Sequence, residues 1–290
     1  MVLFVSLHQR KLPMEKIKII VCCHKDDIKA SSDVYLPLHV GKAISNKELN
    51  ITCDNDGENI SAKNLSYCEL TGLYWAWKNL KDVDYIGLCH YRRYFDFHGI
   101  GRRLFPISTL PTEAFVSTDL SLTTEVLDLL HRGYIILPQE WNLRTSVYLN
   151  YCEIHYSHDF RVMGDVINEL SPEKYADAFR ATMINSNRLI PFNMFIMSRC
   201  QFNKYCEWLF FILKEIEQRI DITNYDPEQR RIFGYMGERM LNIYLRAEGL
   251  KYKQFPILLF SEEQRLFDMP FYQYKARCLM NDLALWLTKY

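Results

Sequence analysis

Apolar residues fall in short runs and helical stripes that alternate along the chain. Residues 17–23, IKIIVCC, form a β-rich apolar run that ends at His24, Lys25 and Asp26. Such a run predicts a strand buried on both faces, as in a parallel sheet, with a polar loop at its C-terminal end. Residues 49–53 predict a weaker second strand, and 85–89, YIGLC, a third buried one that runs into His90, Tyr91, Arg92, Arg93 and Tyr94. Between them, Leu70, Leu73, Tyr74, Trp77 and Leu80 share one helical stripe, which predicts a helix over 66–80. Ser66 and Glu69 have capping-box spacing, and Leu65 and Leu70 can staple the start.

Residues 97–120 read as a long irregular loop, 123–131 as a helix, and 134–137 as a strand stopped by Pro138. Residues 145–185 are mostly helical in pattern, 192–197 form a short strand, and 202–219 an amphipathic helix. Asp226, Pro227 and Glu228 open a last long helix, with proline at its first position, that stops at Gly249. Alternating strands and helices predict an α/β fold: a mostly parallel sheet flanked by helices, with a helix-rich C-terminal half.

Composition narrows the class. The 290 residues are 49% hydrophobic and 24% charged, enough for a sizeable core and too apolar for disorder. Net charge is zero, so no global field attracts nucleic acid or a membrane, and an anion site has to be a local cluster. The nine cysteines are odd in number, lack a CxxC pair and sit mostly in apolar runs; they read as buried hydrophobes in a reducing cytosol. No window is apolar enough to span a bilayer, and the first 13 residues place their apolar part before their charges, unlike a signal peptide. The expected organisation is an N-terminal tail over 1–13, one domain over 14–262 and a C-terminal helical tail over 263–290.

Ligands of open α/β sheets bind beyond the C-terminal strand ends, near a topological switch point. The loops after Cys23, Cys53 and Cys89 are therefore the candidate site, and all three are polar. His90, Arg92 and Arg93 can neutralise a diphosphate, since arginine offers a planar fork to phosphate oxygens; a solvated basic turn is the alternative. Asp54, Asn55 and Asp56 match the Asp-x-Asp of metal-dependent sugar transferases, but Asp-Asn-Asp-Gly is also a strong turn sequence. Asp82 and Asp84 repeat the pattern before a strand, at the wrong edge of the sheet. His155 and Asp159, one helical turn apart, can supply a base or an acceptor contact, or only a polar surface. Glu238 and Arg239 lie mid-helix, where an exposed ion pair is the alternative, and Asn193 stands at a turn before its strand. The capping box gives Glu69 a structural job. No P-loop or GxGxxG motif is present, which weighs against a kinase or dehydrogenase.

Several stretches carry a resemblance: VCCHK at 21–25, DNDGENIS at 54–61, CELTGLYWAWKN at 68–79, YIGLCHYRRYF at 85–95, PFNMFIM at 191–197, YCEWLF at 205–210 and FGYMGERML at 233–241. Together they resemble a bacterial family known as a domain of unknown function, found in capsule and O-antigen loci and similar to galactofuranosyltransferases of a variant GT-A fold. Two departures are Gly72, where alanine is expected, and Gly237, where serine is expected.

The resemblance implies an inverting transfer from a UDP-sugar, UDP-galactofuranose for instance, to a growing glycan or lipid-linked glycan. It also implies no metal: the family lacks Asp-x-Asp at its usual place, which His90, Arg92 and Arg93 occupy, so neither Mg nor Mn is expected as a cofactor. In that scheme Asp159 or Glu238 is the catalytic base, His24, Asp54 and Asn55 line the nucleotide end, and His155, Asn193 and Arg239 contact sugar or acceptor. The rival readings are a metal-dependent sugar or sugar-phosphate transferase built on Asp54 and Asp56, and a non-catalytic glycan-binding subunit. The expected location is the cytosol. Residues 271–290 mix Lys275, Arg277 and Lys289 with Leu, Met and Trp286 and can form a packed terminal helix or rest on the inner leaflet.

Overall fold

The run IKIIVCC forms the central strand of the computed structural model, which describes residues 15–102, 104–263 and 267–287. Strand β1 (Ile17–Cys23) is flanked by two parallel neighbours, β2 (Tyr35–His39) and β4 (Tyr85–His90). Its side chains alternate between two cores: Ile19, Val21 and Cys23 enter one, Ile20 and Cys22 the other. This double burial explains why the strand reads as a continuous apolar run. A two-residue strand, β3 (Thr52–Cys53), ends that edge, where the sequence predicts five strand residues. Strand β2 itself is not predicted; Pro37 interrupts its apolar pattern.

The predicted helix over 66–80 is broken. Helix α1 (Asn64–Tyr67) stops at Cys68, whose φ is 50°, and α2 (Leu70–Asn79) starts afresh. The capping box does not form: Ser66 bonds back to the Lys63 carbonyl, and Glu69 caps nothing. The predicted loop over 97–120 contains β6 (Ile107–Leu110) and a 3₁₀ helix over Thr112–Ser117, after β5 (Arg93–Phe95). Helix α3 (Thr124–His131), capped by Thr123, leads to β7 (Ile135–Pro138) and the short β8 (Trp141–Asn142).

The helical stretch resolves into α4 (Val147–Ile154), α5 (Ser157–Leu170) and α6 (Glu173–Phe179). Strand β9 (Arg188–Leu189) pairs with β8, and β10 (Phe195–Ser198) inserts antiparallel between β4 and β7. Helix α7 (Arg199–Arg219) starts with a true capping box, Ser198 with Gln201. Helix α8 (Ile232–Ala247) follows a 3₁₀ turn and ends before Gly249, which takes φ 58°. Strand β11 (Tyr252–Phe255) pairs parallel with β7, and β12 (Ile257–Phe260) joins β5 and β6.

The sheet order is β11-β7-β10-β4-β1-β2-β3, with β5, β12 and β6 as a side branch. It is mostly parallel and flanked by helices, as the sequence predicts. Helices α2, α5, α7 and α8 bury one face; α3 and the β5–β12 branch cover the other. Helix α9 (Phe271–Leu287) lies within the predicted tail and packs by one face only. Among the described residues no helix is long and apolar enough to cross a membrane. The expected N-terminal tail lies outside the described residues.

Candidate functional site

Strands β1 and β4 end side by side, with Cys22 opposite His90. Beyond those ends lies a cavity of about 620 Å³. His24, His90, Tyr91, Arg92 and Arg93 form its sheet side; the α1–α2 joint gives Leu65, Cys68 and Glu69; α8 and the turn before it give Arg231, Gly234, Tyr235 and Glu238. This is where open α/β sheets hold ligands.

Two unusual backbone positions organise the cleft. Phe192 and Asn193 both adopt left-handed φ, 73° and 54°, which asparagine tolerates but which is uncommon and costly for a phenylalanine. The Phe192 N–H donates to Glu238 Oε1 at 2.5 Å, and its carbonyl accepts from His90 Nε2 at 2.8 Å. Asn193 Nδ2 donates to Glu69 Oε1 at 2.6 Å and to the Gly234 carbonyl at 3.3 Å. One dipeptide therefore ties together Glu69, Glu238 and His90. Gly234 permits the close approach of α8: a Cβ there would sit 3.0 Å from the Cys68 side chain.

The basic residues differ in role. Arg92 is already paired, its guanidinium 2.7 Å from Asp27. Burial pushes the Asp27 carboxyl up, but the Arg92 bond and the Ile28 N–H more than reverse it, so the net shift is down. Arg93 stacks on the Phe192 ring at 4.7 Å, and its buried Nε has no hydrogen-bond partner among the described residues. No ion pair joins Arg93 to a described carboxylate within 4 Å; desolvation lowers its pKa, while Glu69 and Glu238 act on it from a distance and raise it. His90 adds no charge: burial first, then Arg93, pushes its pKa down to about 4, and the Phe192 carbonyl fixes the proton on Nε2. His24, edge-on to Tyr91 at 5.3 Å, is likewise lowered by burial. Of His90, Arg92 and Arg93, the residues expected to neutralise a diphosphate, only the two arginines carry charge.

Glu238 Oε2 also receives Arg239 at 2.5 Å, and Arg239 donates to the Tyr235 carbonyl. Arg239 is buried and absent from the cavity wall; it holds Glu238 rather than facing a ligand. The pair is buried, unlike the exposed ion pair of the alternative reading, and the sugar or acceptor contact expected of Arg239 is not formed by a residue of the cleft wall. Glu69, read from sequence as a cap, faces the cleft; burial raises its pKa against the Asn193 bond.

Besides Arg239, and Asn193, which is buried and off the cleft wall, four expected site residues lie elsewhere. Asp54 is fully buried and accepts from the Gly41 N–H (2.8 Å), the Lys42 N–H (3.1 Å) and the Ser61 hydroxyl. Its carboxylate is consumed by the turn, so it lines no nucleotide pocket, and Asn55 is exposed beside it. Asp159 is buried under the Tyr225 hydroxyl at 2.8 Å, with its pKa raised by burial, and is not part of the cleft wall. His155 bonds Gln229 and stacks on Tyr235 at 4.1 Å, so it backs a cleft residue without entering the cleft. Arg231 and Tyr235 are cleft residues that sequence reading missed; Arg231 reaches Cys68 Sγ at 3.4 Å. Among the described residues no group of three or more His, Cys, Asp or Glu side chains converges as a metal site.

The cleft and sheet define an α/β protein with a cleft carrying basic residues at its strand ends. The profile of the family described as a domain of unknown function (DUF4422) matches residues 18–249, and the chain belongs to that family. The fold is similar to the apo structure of WbbM, a bifunctional glycosyltransferase: TM-score 0.75 at 29% identity, over 88% of this chain and 48% of that one. The chain thus spans about half the length of that protein. No match is found among curated proteins.

Proposed function

We propose that this protein is an inverting, metal-independent glycosyltransferase that moves a sugar, galactofuranose for instance, from a UDP-sugar to a growing capsular or O-antigen glycan. The observation that carries this reading is Arg93: a guanidinium shielded from water at Nε, without a close acid, beside a 620 Å³ cleft. A buried unsatisfied donor is costly, and an anionic ligand satisfies it. The likeness to a glycosyltransferase, at 29% identity, supports sugar transfer as the activity.

The leaving UDP lies with its diphosphate on Arg93 and Arg92, which stabilise the charge that grows as the bond from the anomeric carbon to phosphate breaks. His24 and Tyr91 flank the nucleotide. Glu238 is the base. The Phe192 N–H and Arg239 each hold one of its oxygens, leaving free lone pairs to take the acceptor hydroxyl proton as that oxygen attacks the anomeric carbon. The electron pair of the broken bond leaves with UDP. Asn193 positions Glu69 beside this centre, and Tyr235, backed by His155, borders the acceptor side. The reaction takes place in the cytosol on a glycan or lipid-linked glycan.

Glu238→Gln tests the assignment. It keeps the acceptor for the Phe192 N–H, so UDP affinity should hold while turnover of UDP-galactofuranose falls by roughly a hundredfold or more. Weaker UDP binding with unchanged turnover per bound enzyme would remove Glu238 as the base.

A further inference from the structure

Helix α9 is amphipathic twice over. One face is anchored: Phe271 and Tyr274 pack on Phe105, with ring centroids 5.8 and 5.1 Å away. Asp282 accepts from Asn142 at 2.7 Å, Asn187 at 3.0 Å and Arg188 at 2.7 Å. These contacts fix the rotation of the helix. The opposite face is apolar and open to solvent: Tyr272 is 70% exposed, Leu279 69%, Leu283 48% and Trp286 55%, with Met280 and Leu287 beside them at 64% and 61%. An exposed apolar patch of this kind marks an interaction surface.

The spacing says which kind. Tyr272, Ala276, Leu279, Leu283 and Trp286 advance by four, three, four and three residues, the seam of a helix that pairs with another helix. Scaled by their exposures, the six large side chains offer on the order of 800 Å², about what each partner contributes to a standard stable interface.

We infer that this seam joins two copies of the chain through an antiparallel pair of α9 helices. The seam is self-complementary in that orientation. With the helices reversed about a two-fold axis, the small Ala276 of one copy receives Trp286 of the other, and Leu279 meets Leu283; both layers then occur twice. A lipid surface fits less well, because interfacial helices are rich in free Lys and Arg. The two cations of α9, though exposed, are engaged with rings of their own chain: Arg277 lies over Phe267 and Tyr274 at 5.3 and 5.5 Å, and Lys275 over Phe271 at 5.6 Å.

Sedimentation equilibrium of the full chain should give twice the 34.6 kDa chain mass. Leu279→Glu with Leu283→Glu should give a monomer. Ala276→Trp, which fills the socket for Trp286, should weaken dimerisation about tenfold or more. Both variants alter exposed positions, and unchanged circular dichroism will show that they fold. Mixing Ala276→Cys with Trp286→Cys chains should yield a mixed disulfide dimer under mild oxidation. A wild-type monomer at high micromolar concentration overturns the inference, whether or not it floats with anionic vesicles. A dimer that survives the double glutamate variant, or one cross-linked by Ala276→Cys alone, overturns the seam or its antiparallel register.

Discussion

Replacing Arg93 with methionine separates a ligand-binding arginine from a structural one. Methionine keeps an apolar stem against the Phe192 ring and removes the charge. In the unliganded protein Arg93 makes no close ion pair with a described carboxylate, and its Nε is unsatisfied. Its loss removes a desolvated cation and, in exchange, the distant attraction of Glu69 and Glu238. These terms oppose each other, so unliganded stability should change by only about 1 kcal/mol. A diphosphate changes the balance: charge-assisted bonds from a guanidinium contribute about 1.5–3 kcal/mol. At about 1.4 kcal/mol per tenfold, Arg93→Met should weaken UDP binding roughly 10- to 100-fold. Arg93→Lys keeps a charge without the fork and should fall between. Calorimetric titration with UDP, run beside urea denaturation without ligand, reads both quantities. Unchanged UDP affinity with a stability loss of several kcal/mol would refute the argument.

Three further outcomes follow from the same geometry. Asp54→Ala orphans two N–H groups and a hydroxyl and should cost about 2–4 kcal/mol in urea titration; UDP affinity of the folded protein should hold, and a loss there would return Asp54 to the site. His90 is neutral when folded, with a pKa of about 4, and takes a proton when unfolded at about 6.5. The unfolded state then binds more protons, so stability present above pH 6.5 declines as pH falls towards 4, by up to about 3 kcal/mol from this group. His90→Gln should flatten that slope, and an equal slope in both proteins would contradict the assignment. Gly72→Ala places a Cβ 2.8 Å from Val40 Cγ1; the packing cost of about 1–3 kcal/mol should exceed the helix gain of about 0.5–1, so the melting temperature falls.

The elements read correctly from sequence are those whose burial is written into composition. β1 and β4 are continuous apolar runs because both of their faces are covered, and α7 carries the amphipathic stripe read over 202–219, although its cap at Ser198 and its start at Arg199 are not read. What escaped depends on contacts remote in sequence. The antiparallel direction of β10 leaves no mark in FIMS, since a doubly buried strand looks the same either way. The break at Cys68 requires a positive φ at a non-glycine residue, which no propensity announces, and it frees Glu69 from its expected cap to meet Asn193, 124 residues away. The place of His90, Arg92 and Arg93 beyond the sheet, on the cleft wall, is legible because they follow a buried strand directly. Asp159 and His155 were not separable from it, because sequence shows which face of a helix they share but not which cavity that face meets. The turn sequence around Asp54 offered two readings, and its three local donors decide for the turn.

The most direct test of the central claim is calorimetric titration of the wild-type chain with UDP, and with other nucleoside diphosphates, in the presence of EDTA. The account predicts UDP-selective binding that EDTA leaves unchanged. Binding that requires added Mg or Mn would contradict the metal-free diphosphate clamp at Arg92 and Arg93, and no binding of any nucleoside diphosphate would contradict the transferase reading itself.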